Sequence, residues 1–85
     1  MANWKYRINI RQYLGEGESQ EDMHKAANGI CKELTEKIPN HVLIRGARLM
    51  DSLKDAAKTG RLEWFNASLN VLWDWFDAER ILVEL

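Results

Sequence analysis

Along Trp4-Lys5-Tyr6-Arg7-Ile8-Asn9-Ile10-Arg11 apolar and polar residues alternate, so that two aromatic and two β-branched side chains fall on one side. A two-residue period of this kind predicts a strand with a single apolar face. The period then changes to a helical one. Met23, Ala27, Ile30, Leu34 and Ile38 form a stripe, Ser19 followed by Asp22 reads as a start signal, and Pro39 as a stop. Glu21 with Lys25, Lys32 with Glu36 and Glu33 with Lys37 are spaced for ion pairs on the wet side. A second helix runs from an Asn40 cap to Gly60, with Val42, Gly46, Leu49, Met50, Leu53 and Ala57 inward. Gly46 in the middle of that stripe costs roughly 1 kcal/mol of helix propensity relative to alanine. Close approach of another backbone or of a bulky neighbour such as a Trp ring accounts for it, and so does simple tolerance.

The third helical segment, Arg61 to Glu79, carries apolar side chains on two faces. Leu62, Phe65, Leu69, Leu72, Trp73 and Phe76 make one stripe, and Trp64, Val71 and Trp75 project from nearly the opposite side. One stripe suffices to dock a helix on a core. The second requires cover from elsewhere in the fold or from another molecule, because indole rings are costly to leave in water. Arg80-Ile81-Leu82-Val83-Glu84-Leu85 then suits a terminal strand. The expected fold class is α+β, mainly α: three helices and a two-stranded sheet made by the N- and C-terminal strands, in the order β-α-α-α-β. Up-and-down parity through three helices makes the strands parallel, whereas antiparallel pairs are commoner, so the direction stays open.

With 85 residues, the chain is expected to form a single small globular domain with a limited core. The formal net charge of -1 supplies no overall attraction to nucleic acid or anionic lipid. A lone cysteine, Cys31, makes no internal disulfide and points to a reducing cytoplasm. Neither an apolar leader nor a run long enough to span a bilayer is visible, and the reading is a complete cytoplasmic protein with no membrane association.

Residue constellations that carry chemistry are sparse. His24 and Cys31 share a side of the first helix, yet zinc normally takes four clustered ligands, and a buried inert thiol explains the pair. Glu16, Glu18, Glu21 and Asp22 surround a glycine-containing turn, without the spacing of a calcium loop, and act as solvated acids near a helix N-terminus. No cofactor, metal or catalytic residue is expected. Lys5, Arg7 and Arg11 on the outward face of the first strand, with Arg45 and Arg48 on the second helix, form the candidate phosphate-binding set. The helices flanking Gly60 suggest a helix-turn-helix, but Glu63, Asp74 and Asp77 on the reading helix oppose docking into a groove of DNA.

The opening Ala2-Asn3-Trp4-Lys5-Tyr6-Arg7-Ile8-Asn9-Ile10 and the closing Trp73-Asp74-Trp75-Phe76-Asp77 with Arg80-Ile81-Leu82-Val83 resemble the ends of short uncharacterised proteins of bacterial and phage genomes. That resemblance implies a small cytoplasmic accessory protein and transfers no activity or site. The functional expectation is therefore a non-enzymatic protein-protein interaction module, a homodimer, adaptor or inhibitor. Its contact surface would be the aromatic helix face of Trp64, Val71 and Trp75 or an open sheet edge. The alternative is a nucleic-acid-binding accessory protein using Lys5, Arg7, Arg11, Arg45 and Arg48.

Overall fold

Two short strands, β1 (Tyr6–Asn9) and β2 (Ile81–Glu84), are separated by three helices, α1 (Gln20–Lys37), α2 (Asn40–Thr59) and α3 (Leu62–Glu79). The computed structural model describes residues 3–13 and 19–84; the Gly15-Glu16-Gly17-Glu18 turn and Leu85 lie outside them. The strands pair in parallel, with Tyr6 opposite Ile81 and Asn9 opposite Glu84. The chain reverses at each of the four connections between these elements, and an even number of reversals returns it to its starting direction, so parity settles the question left open by the sequence. Ile8, Ile10 and Ile81 are fully buried beneath the helices, which supply the apolar cover that an isolated strand pair lacks.

Pairing ends sooner than the alternation of β1 suggests. Arg11–Tyr13 coils into a 3-10 turn, and Trp4, before the first strand residue, is 45% exposed rather than part of the buried face. Among the described residues four positions of β2 pair with β1. Beyond them Tyr13 turns inward and lies against Gly29 of α1, where a Cβ would collide with the phenol ring. Gly29 is thus a close-approach position as necessary as Gly46.

Helix α1 begins as its start signal indicates: Ser19 is the N-cap, and its Oγ accepts from the Asp22 backbone N–H at 3.2 Å. Ile38, extended as the residue before proline should be, closes it. Helix α2 corrects the expected cap. Pro39 is already extended and stands as N-cap, its carbonyl accepting from Val42 and Leu43 at 3.0 Å, so Asn40 becomes the first helical residue. The other end of α2 closes on Gly60 in the left-handed region (φ 74°). Gln20 Nε2 donates to the Lys58 carbonyl nearby, tying the start of α1 to the end of α2. The expected ion pairs within α1 are not closed. Glu33 instead accepts from the Asn9 backbone N–H at 3.3 Å, joining α1 to the sheet.

Helix α3 contributes Phe65, Leu72 and Phe76 to the core, while Leu62, Leu69 and Trp73 are partly buried against it. Trp75, from the second stripe, is also buried, at 9% exposure. Its ring lies over Gly46, where a Cβ would stand 2.5 to 2.7 Å from three indole atoms. Of the two explanations for that glycine, the close neighbour is the one found. Arg80 ends α3 in the left-handed conformation (φ 61°), unusual for a residue with a Cβ. Its carbonyl accepts from Lys5 N at 2.8 Å and Tyr6 N at 3.3 Å, which begins the strand pairing.

Two substitutions test these backbone arguments. Gly46→Ala should lose roughly 1 to 3 kcal/mol in chemical denaturation, because the added methyl displaces a large ring inside a packed core. Arg80→Gly should leave stability unchanged or raise it by up to about 1 kcal/mol, as relief of left-handed strain outweighs the added freedom of the unfolded chain.

Candidate interaction surface

Helices α2 and α3 run antiparallel, and the pairs along their seam fix the alignment. Arg45 meets Glu79, Gly46 meets Trp75, and Ser52 Oγ lies 3.2 Å from Ser68 Oγ. Serine at both facing positions lets the hydroxyls satisfy each other and leaves little bulk above them. The result is a shallow groove of about 250 Å³ lined by Leu49, Ser52, Trp64, Ala67, Ser68 and Val71. Trp64 at 41% exposure and Val71 at 49% form its apolar rim.

The second stripe of α3 is therefore divided. Trp75 belongs to the interior of the subunit, which removes it from the partner-binding set expected with Trp64 and Val71. The reason is the missing side chain at Gly46: α2 comes near enough for the indole to slide over it. The ring also packs on Phe76, with centroids 5.7 Å apart. Its Nε1 is buried with no hydrogen-bond partner among the described residues. The nearby Glu79 carboxylate feels the indole as a minor influence on its pKa, but no hydrogen bond closes between them.

Arg45 covers this corner. Its guanidinium donates from Nε to Glu79 Oε2 at 2.6 Å and from Nη2 to Glu79 Oε1 at 2.9 Å, while Nη1 reaches the His41 carbonyl at 3.1 Å. The Glu79 carboxyl is held below its usual range chiefly by the hydrogen bonds from Arg45, with Lys5 adding a weaker field. Arg45 is correspondingly raised by its hydrogen bond to Glu79. The fork geometry makes this a directed clamp between helices rather than a loose surface pair.

That clamp weakens the basic set as a phosphate site. Arg45 is neutralised by Glu79, and Arg7 lies 3.1 Å from Glu84 across the sheet. Arg11 lines a polar cleft with Asn9, Gln12 and Glu33. Arg48 is exposed on α2, and Lys5 stands near Glu79. Four of the five cations thus stand near a carboxylate.

Cys31 is buried, and burial pushes its thiol pKa up, with Asp51 reinforcing and Lys54 opposing the shift. A protonated thiol is a poor nucleophile. His24 is half-buried, and no group of three or more metal-capable side chains occurs among the described residues. No helix among them is long and apolar enough to cross a membrane.

Two further apolar residues are exposed: Ile44, which the stripe of α2 omits, and Trp4, which the alternation places on the apolar face of the first strand. Ile44 is 74% exposed on the outer side of α2, and Trp4 precedes β1. Ile44 lies off the inward stripe of its helix, which is the signal that could have marked it. Comparison with known protein families, curated proteins and solved structures gives no match to this chain.

The Arg45–Glu79 clamp yields a pH prediction with a defined sign. Because folding depresses the Glu79 pKa, its contribution is present above the unfolded carboxylate pKa and lost as pH falls through the folded value. Glu79→Gln should lower the thermal midpoint near neutrality, and the deficit should shrink toward zero as the solution is acidified. A deficit unchanged across that range would assign the effect to packing alone.

Proposed function

We propose that this chain is a non-enzymatic protein-protein interaction module that works through the α2–α3 groove, with Trp64 and Val71 as its apolar anchors. The observation that carries the reading is the position of Trp64: a large ring, 41% exposed, beside a groove floored by small residues. Aromatic anchors next to a complementary depression are the usual source of binding energy at protein interfaces. A homodimer, an adaptor or an inhibitor of a larger assembly would each use such a surface. The chemistry of the remaining groups supports the same direction, since the thiol is buried and two of the five candidate phosphate-binding cations are paired. A single reduced cysteine suits a cytoplasmic setting.

The test separates binding from folding by comparing Trp64→Ser with Trp75→Ser. Trp64→Ser should change stability by less than about 1 kcal/mol, as for an exposed position, and abolish association with itself or with a captured partner. Trp75→Ser should cost about 3 to 5 kcal/mol through loss of core packing. Retention of every association by Trp64→Ser, read by light scattering and affinity capture, would reject the proposal.

A further inference from the structure

We infer that the occupant of the α2–α3 groove is a basic amphipathic helix of another protein, its apolar stripe seated on Trp64 and Val71 and a lysine or arginine held at the lower end between Asp55 and Glu63. The inference rests on the reading of this groove as an interaction surface and adds the chemistry of the partner. It is carried by the sign of the charges along the rims and by the spacing of the apolar anchors.

The contacts of Gly46 with Trp75 and of Ser52 with Ser68 set the level of the other residues along the antiparallel pair. Asp55, three residues beyond Ser52, comes level with Phe65, in the turn of α3 that carries Glu63 and Trp64. At about 100° per residue, Asp55 lies on the outer side of Ser52, and Glu63 on the outer side of Trp64 and Ala67. Both acids are exposed, and neither belongs to an ion pair among the described residues. The exposed Trp64 therefore has an unpaired acidic residue on each rim beside it.

Higher up, Asp74 and Asp77 continue the outer side of α3, exposed and outside the ion pairs found among the described residues. From Leu62 to Glu79 this helix contains no lysine or arginine. Arg45 is already engaged by Glu79, and Arg48 on the α2 rim and Arg61 at the foot of α3 offset only part of the acidic excess. Such a field is complementary to a cationic partner. It repels a phosphate backbone, and a second copy of this chain would bring the same excess of carboxylates to the contact. A cation seated beside the indole gains from the ring face as well as from the two acids.

Trp64 and Val71 lie seven residues apart, two turns along one side of α3, or about 10 Å at 1.5 Å per residue. A helix laid along the groove presents its own apolar residues with the same repeat, at i and i+7 with i+3 and i+4 between them. Ser52, Ala67 and Ser68 keep the lining small between the two anchors, so the backbone of such a helix can come close.

The probes are two synthetic helices that share one leucine stripe, the first with lysine and the second with glutamate at the flanking positions. Each is titrated calorimetrically into the full chain as wild type, Trp64→Ser, the reversal Asp55→Lys with Glu63→Lys, and the neutral pair Asp55→Asn with Glu63→Gln. Wild type should bind the lysine helix at least about tenfold more tightly than the glutamate helix, and added salt should narrow the gap. The neutral pair should shrink the preference, the reversal should invert it, and Trp64→Ser should lose the lysine helix. Circular dichroism establishes that each variant is folded, and the neutral pair decides the matter where the reversal is not. No binding of the lysine helix, equal affinity for the two probes, or a preference untouched by the neutral pair would each overturn the basic partner. Equal affinities that both vanish in Trp64→Ser would leave the groove standing as an interaction surface, whereas binding insensitive to Trp64→Ser would overturn both. A wild type that dimerises through Trp64 and so excludes the lysine helix would overturn it in favour of a second copy.

Discussion

The contact of the Trp75 ring with Gly46 sets the separation of α2 and α3, and much of the remaining arrangement follows from it. Where the second helix lacks a side chain, the third can bring its largest one into the core instead of turning it to solvent. That seating aligns Arg45 with Glu79 at one end and Ser52 with Ser68 farther along. The groove is what remains between helices that approach closely at the glycine and meet through small hydroxyls beyond it. A single missing methyl thus decides which indole of α3 is structural and which is left outside.

The electrostatics follow the packing. The carboxylate nearest the buried indole is clamped by a bidentate guanidinium, so the charges at that corner bridge two helices instead of facing a polyanion. Across the sheet Arg7 and Glu84 form a single, more exposed ion pair. Cations that look available when counted along the chain are therefore unequal once folded, and the paired ones would have to leave a carboxylate before meeting a phosphate.

Periodicity made the helices, their order and most of the inward residues legible, because each helix is long enough to show several turns of its pattern. It also exposed the double-faced character of α3. What it did not show was how far a neighbour reaches around a helix: Trp64 and Trp75 share a stripe, and only the position of Gly46 in space separates them. Local competition was similarly hidden. Pro39 takes the cap expected at Asn40 because its own backbone is already extended, and β1 gives way to the 3-10 turn that begins at Arg11. Tyr13 and Gly29 carry no periodic signal at all, since their contact joins a turn to a helix sixteen residues away.

The parallel sheet has a consequence for the birth of the molecule. Its two ribbons are separated by the whole helical body, so on a translating ribosome Ile8 and Ile10 must wait for Ile81 to emerge before their own layer can close. Contacts so distant along the chain are slow to form, which makes the hairpin of α1 and α2 the natural first nucleus and the strand pair the last latch. Until that latch shuts, the nascent chain displays an oily ribbon to the cell, and the cations at Lys5, Arg7 and Arg11 keep it from sticking to its neighbours.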